Sequence, residues 1–359
     1  MEKVSGGAAV VAAAFSAQRS NTPSRVSCTV DFEANGRQAG FMTVPHSRND
    51  SAWGSLQIPI VCVKNGEGPT ALFIGGSHGD EYEGPIALIK LAKSLSAADV
   101  SGRVIIIPCL NLPAVRTATR LSPIDGRNMN RVFPGNPEGT ITDLIADFVY
   151  RSILPLADAV VDLHAGGKTL NYLPSVVMHH LDDPELMVRT FAALKSFGAP
   201  IGMILRELDT QGMLDTAVEE MGKIFISTEL GGIGTSSATS VGIAERGVYK
   251  LLRHFGVLAG FADLSKQTRL MHTPDAAGFT IVAHAGILEM IVDLGDEVAA
   301  GDVLARIYDY EDLERPPAEY AAKTAGMVFC RHAPGLIQRG DCLAVIAQDM
   351  PPDLLASLI

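Results

Sequence analysis

The segment Gly75-Gly76-Ser77-His78-Gly79-Asp80-Glu81 sets an imidazole and a carboxylate three residues apart, after one apolar run and before a helical pattern. If the segment opens a helix, Glu81 lies about 60° around the axis from His78, Asp80 points to the opposite side and Glu83 stands about 140° away. Only Glu81 can then share an ion with His78. One imidazole nitrogen and one carboxylate oxygen are two of the three protein ligands that a catalytic zinc commonly takes. The H-x-x-E spacing also occurs on solvated helix starts, where the helix dipole favours an acid, so the pair needs a third donor. His164 in Ala-Val-Val-Asp-Leu-His-Ala-Gly-Gly, again at the end of an apolar strand, is that candidate. Asp162 is two residues earlier on the same face, free to orient the ring. Three ligands leave one position for water, whose pKa zinc lowers to about 7, and a general base must stand beside it. Glu229, which ends the strand KIFISTEL before Gly231-Gly232, suits that role.

Strands must bring these groups together. Three short β-branched segments open the chain between residues 26 and 63. ALFIGG, a helical pattern from Gly84-Pro85 through IALIKLAKSL, and VIIIPCL then form a β-α-β unit. TDLIADFVYRSILPL and PELMVRTFAALKSFG read as helices, ADAVVDLHAGG and KIFISTELGG as strands. This alternation predicts an α/β fold, a sheet flanked by helices with its ligands at the strand ends. Residues 111–135 read as one long loop holding Arg116, Arg120, Arg127 and Arg131, whose planar forks suit a carboxylate or an oxyanion.

The alternation stops near residue 265, dividing a catalytic unit of residues 1–265 from a small all-β unit of residues 266–359. Within the latter, AGILEMIVDLGDEVAAGDVLARI and AGMVFCRHAPGLIQRGDCLAVI align. Gly286 matches Gly326, Gly301 matches Gly340, Asp302 matches Asp341 and Ile307 matches Ile346, at spacings of 40 and then 39 residues. Such an internal repeat predicts two hairpin-rich halves.

The chain has 359 residues and a formal net charge of −11, which argues against nucleic acid or an anionic membrane as partner. Its five cysteines form no C-x-x-C pair, which suggests reduced thiols in a cytoplasmic setting. No apolar run approaches a membrane span, and the alanine-rich first residues, which carry Glu2, read against a secretory signal. His46, His179, His180, His254, His272, His284 and His332 read as structural or surface residues.

Taken in order, GGSHGDE, NLPA, Arg120, DGRNMNRVFPG, DLH and TELGG resemble the succinylglutamate desuccinylase/aspartoacylase family, relatives of the zinc carboxypeptidases. Two details depart from its pattern: NLPA stands for N-P-x-A, and Asn128 stands where many members have Asp. The resemblance implies a zinc-carboxypeptidase-like mixed sheet and one Zn²⁺ held by His78, Glu81 and His164, with Glu229 as general acid/base. It further implies that Asn130 and Arg131 hold a substrate carboxylate while Arg120 polarises the scissile carbonyl, with Arg116 and Arg127 competing for that last role. The substrate implied is a small N-acyl amino acid, and the segment GGSHGDEYEGPIALIKLAKSL is most similar to the deacetylases of N-α-acetyl-L-2,4-diaminobutyrate in ectoine breakdown. A succinylglutamate or acylaspartate deacylase, a small zinc carboxypeptidase cutting peptides and a non-catalytic binding module are the competing readings. The β repeat resembles the barrel-sandwich domain of biotinyl and lipoyl carriers, yet Lys323 is its single lysine and no lysine hairpin joins the halves. It is suited instead to wall the mouth of the site or to join subunits of a homo-oligomer.

Overall fold

The fold is known from a computed structural model that describes residues 22–205, 211–261 and 268–352. The alanine-rich first residues and the boundary near residue 265 lie outside the described residues. The opening strands are β1 (Ser27–Cys28), β2 (Gly36–Pro45) and β3 (Ser55–Asn65). Then come β4 (Thr70–Gly75), α1 (Glu83–Ser94), β5 (Gly102–Ile107), α2 (Leu112–Thr117), α3 (Ile141–Phe148), β6 (Ala159–His164), β7 (Leu170–Tyr172) and β8 (Ser175–His179). They are followed by α4 (Pro184–Phe197), β9 (Ile201–Leu205), α5 (Leu214–Glu219), β10 (Ile224–Glu229) and α6 (Ala238–His254).

Strands β4, β5, β6 and β10 run parallel at the centre of a mixed sheet whose order begins β1-β2-β3-β5-β4-β6-β10-β8-β9. Their residues are buried on both faces, as the unbroken apolar runs require, with α1, α4 and α6 on one face and α3 and α5 on the other. The α/β fold class is therefore that expected.

Three local expectations are corrected. The helix after β4 starts at Glu83, so His78 and Glu81 lie in the loop before it and the helical-angle argument does not apply. Pro85 explains the start: lacking an N–H, it is tolerated within a helix's first turn but would break one begun at His78. The span 111–135 is not all loop. Asn111 caps α2 by accepting from the Ala114 amide, and Met129–Arg131 form a 3₁₀ turn. TDLIADFVYRSILPL is not one α-helix either, because α3 gives way at Val149–Ile153 to a wider π turn and then to a 3₁₀ turn over Leu154–Leu156.

The rest of the chain is β: β11 (Arg269–His272), β12 (Phe279–Ile281), β13 (Gly286–Met290), β14 (Glu297–Val298), β15 (Val303–Tyr308), β16 (Ala318–Ala321), β17 (Gly326–His332), β18 (Leu336–Ile337) and β19 (Cys342–Asp349). The repeat is visible as an exchange between halves: β14 pairs with β17, and β18 with β13. Matching atoms do matching work. Ala299 N donates to Asp302 Oδ2 and Gln338 N to Asp341 Oδ2, while a Cβ on Gly286 or Gly326 would strike the carbonyl oxygen of Tyr308 or Ala347. β11 pairs with β9 and β19, so the large sheet runs on into this unit, and β7 pairs with β17. Lys323 donates to the Phe279 carbonyl oxygen.

Candidate metal centre

The loop between β4 and α1 is built for close approach. A Cβ on Gly79 would lie 2.0 Å from the Ala114 carbonyl carbon, so only glycine lets α2 pack against this turn. The Gly79 amide donates to Thr119, and Asn111 Nδ2 donates to the Ser77 carbonyl oxygen, which ties the loop to α2. His78 and Glu81 are thereby buried side by side, with Nδ1 and Oε1 2.8 Å apart.

His164, the last residue of β6, meets them from the neighbouring strand. Its Nδ1 lies 2.9 Å from Glu81 Oε2, so the two imidazoles face the two oxygens of one carboxylate. The ring centroids are 5.1 Å apart, and one donor atom from each of the three residues lies within 4.8 Å of the others. Each ring is also gripped from behind: Nε2 of His164 lies 2.8 Å from Asp162 Oδ2, and Nε2 of His78 lies 3.0 Å from Asn128 Oδ1. An acceptor oxygen on Nε2 holds the proton there and leaves the Nδ1 lone pair pointing inward. Asp162 is itself fixed by the Ser77 hydroxyl. Two inward imidazole nitrogens and a carboxylate oxygen form the N₂O donor set of an open divalent-cation site, so the residues fit such an ion.

The electrostatics agree. Burial opposes charge on Glu81, yet the two imidazoles hold its carboxyl well below the usual range. Burial likewise opposes charge on His164, but Asp162 and Glu81 together raise its pKa well above the ordinary value. Such clustering of opposed charge in a buried place marks functional sites.

Glu229 ends β10 in register with His164 on β6. Its Oε2 is buried and accepts no hydrogen bond among the described residues. Burial first, then the Glu81 charge, pushes its pKa up to about 8, against the opposing pull of His164 and Arg120.

The three competing arginines separate by position. Arg120 Nη1 lies 3.4 Å from His78 Nδ1 and 3.5 Å from Glu81 Oε1. Arg127 is spent on Asp143, at 2.6 Å, bracing the start of α3, and Arg116 is exposed on α2 beside a recess that holds none of the cluster. Asn130 is buried; its Oδ1 accepts from Leu214 N, which anchors α5 and leaves Nδ2 to donate elsewhere. Arg131 is exposed, with Nη1 bonded to the Asn130 carbonyl oxygen. Next along α5, Asp215 is buried with its carboxyl raised above the ordinary value by that burial.

Asn128 is what sequence reasoning missed. It appeared there as a departure from a family motif, whereas its Oδ1 steadies His78 and accepts the Asn130 amide, linking the His-Glu-His cluster to Asn130. His179 Nδ1 lies 3.1 Å from Glu219 Oε1.

A mixed α/β sheet with a His-Glu-His cluster beside its parallel strand ends is the frame of a metal-dependent hydrolase. The chain belongs to the succinylglutamate desuccinylase/aspartoacylase family, whose catalytic-domain model matches residues 67–255. It is 48% identical over 327 residues to the N-α-acetyl-L-2,4-diaminobutyric acid deacetylase of Halomonas elongata, covering 91% of this chain and 96% of that one. Among solved structures, the product-bound ectoine utilization protein EutE (DoeB) from Ruegeria pomeroyi is similar at TM-score 0.89 and 50% identity, covering 91% of this chain and all of that one. A succinylglutamate desuccinylase from Silicibacter sp. TM1040 follows at TM-score 0.88 and 46% identity, covering 92% of this chain and all of that one.

Proposed function

We propose that the chain is a zinc-dependent amidohydrolase that removes the acetyl group from N-α-acetyl-L-2,4-diaminobutyrate, releasing acetate and the free diamino acid. The observation that carries this reading is the convergence of the His78 and His164 Nδ1 atoms on Glu81, with both Nε2 atoms held outward, beside an unpartnered Glu229 oxygen. The choice of substrate rests on likeness to the Halomonas and Ruegeria proteins.

When bound, zinc would polarise the acyl carbonyl and make water acidic enough to attack near neutral pH. Glu229 takes a proton from the attacking water and returns it to the departing amine, the work its unpaired oxygen is free to do. The Arg120 guanidinium, beside His78 and Glu81, stabilises the oxygen on which negative charge develops. Asn130 Nδ2 and Arg131 hold the α-carboxylate, and Asp162 and Asn128 keep the imidazoles turned inward. Residues 1–265 form the catalytic unit in this reading, and the β unit of residues 266–359 walls the mouth through the β7–β17 pairing. All five cysteines are free, in keeping with a cytoplasmic enzyme; no described helix is long and apolar enough to cross a membrane.

The test joins metal analysis to kinetics. Protein purified without chelator should carry about one zinc per chain and hydrolyse N-acetyl amino acids in preference to dipeptides. Glu229→Gln should keep the metal and lose about 10²–10⁴ in kcat. Wild-type rates in the variant would refute the proposed role of Glu229.

A further inference from the structure

The Arg120 side chain is 44% exposed, and among the described residues its guanidinium meets only His78 Nδ1 and Glu81 Oε1, at 3.4 and 3.5 Å. Its aim therefore depends on where the backbone sets it. The chain reaches Arg120 through Ala118, which ends α2 in the left-handed conformation at φ +52°. A residue with a side chain adopts that conformation reluctantly, so neighbouring groups must fix the turn. Two carbonyls in it are held, one from each loop next to the cluster. The Thr119 carbonyl oxygen accepts the Gly79 amide at 2.9 Å, from the loop between β4 and α1. The Ala118 carbonyl oxygen accepts Nζ of Lys168 at 2.5 Å, from the loop between β6 and β7, four residues after His164.

Lys168 is itself tied to the cluster. Its amide donates to Asp80 Oδ2 at 2.8 Å, and Asp80 is buried next to Glu81 in the chain. A Cβ on Gly167 would stand 2.6 Å from that same oxygen, so glycine is what lets the loop close on Asp80. From the other side, the Gly234 amide holds the Gly167 carbonyl. Asp80, Lys168, Ala118 and Arg120 thus make a path that leaves the cluster beside Glu81 and returns to it at the guanidinium. The Lys168 ammonium has no carboxylate partner among the described residues; its hydrogen bond there is to the Ala118 carbonyl. A bond from a charged donor is stronger than one between neutral groups.

We propose that Lys168 is a positioning residue for Arg120: its ammonium clamps the turn that ends α2 and so sets the guanidinium against the reacting carbonyl. The inference rests on the role given to Arg120 in the deacetylase reading and deepens it by naming what aims that group. A misplacement of about 1 Å in such a group can cost about 100-fold in rate.

The experiment measures kcat and KM for N-α-acetyl-L-2,4-diaminobutyrate in the zinc-loaded full chain, in Lys168→Met, Lys168→Arg and Arg120→Ala, and in the Arg120→Ala/Lys168→Met double variant. Lys168→Met, which keeps the stem and removes the ammonium, should lower kcat by about tenfold or more, with KM and bound zinc little changed. Lys168→Arg, which can still donate to the carbonyl, should recover most of the rate. In the Arg120→Ala background Lys168→Met should change kcat by less than about twofold, because the group it positions is gone. An equal fall in both backgrounds would mean that Lys168 acts on something else, a rise in KM alone would make it a substrate contact, and lost zinc would make its role structural. Each of these overturns the proposal, as does an unchanged kcat in Lys168→Met or in Arg120→Ala. Crystal structures of zinc-loaded wild type and Lys168→Met give a readout that needs no turnover. The guanidinium should stay beside Glu81 in wild type and leave it in the variant, and an Arg120 in the same place in both overturns the proposal. If wild type hydrolyses no N-acetyl amino acid, the deacetylase reading falls, while the position of Arg120 in the two crystals still decides this one.

Discussion

Two histidines separated by 86 positions share one pattern, Nδ1 inward and Nε2 on an oxygen, and that shared pattern is what the proposed ligand set requires. Asp162→Ala, which frees the His164 ring, should weaken zinc affinity by about 10–100-fold while leaving the three ligands in place, as read by chelator competition. Glu229 gives a second prediction. In metal-free protein its folded pKa of about 8 exceeds the ordinary 4.5. The folded state therefore keeps a proton that the unfolded state has lost between those values, and stability falls as pH rises through that window. Removing the titration should remove that fall, so the Tm of metal-free Glu229→Gln should exceed that of metal-free wild type near pH 8 and match it near pH 5. His78, Glu81, His164 and Glu229 were legible because scarce chemistry-bearing side chains stood at the ends of apolar runs. Asn128 was not, since an amide 50 residues from the imidazole it steadies leaves no trace in local spacing.

At the scale of elements, the β4–α1 loop decides whether the cluster forms. Gly79→Ala would drive a methyl into the Ala114 carbonyl, pushing α2 away and moving His78 with the turn. The variant should be destabilised by about 1–3 kcal/mol and should bind less than one zinc per chain, measured by thermal unfolding and metal analysis. The strands were readable from unbroken apolar runs, and α1 from its periodicity. Its start near Gly84-Pro85 was legible too, since Pro85 suits a first turn, and only the conditional extension of the helix back to His78 fails. Helix α2 was hidden within a span rich in Pro, Thr and Arg, where a capping Asn111 and a short apolar stretch outweigh weak propensity. The π turn after α3 answers to packing of Val149 and Ile153 into the core beneath the sheet, a tertiary demand that local pattern does not express.

Across the whole molecule, the C-terminal repeat is more than an appendage. One buried cluster joins Val177, Ile201 and Met203 of the sheet to Met271, Met327, Phe329 and Val345 of the β unit. A chain ended at residue 265 would expose that cluster and the β9 edge, so it should aggregate or self-associate on size exclusion; a soluble, zinc-loaded monomer would show that the first unit stands alone. The repeat itself was legible from paired glycines and aspartates, which fill equivalent turns in both halves. The exchange of short strands between the halves was not, because it depends on how two hairpins face each other rather than on either sequence.

The centre itself can be tested by anomalous diffraction at the zinc edge from crystals of protein purified without chelator. The account predicts one peak per chain within about 2.0–2.2 Å of His78 Nδ1, His164 Nδ1 and a Glu81 oxygen. A peak bound by other side chains, or none at that point in crystals soaked with zinc, would contradict it.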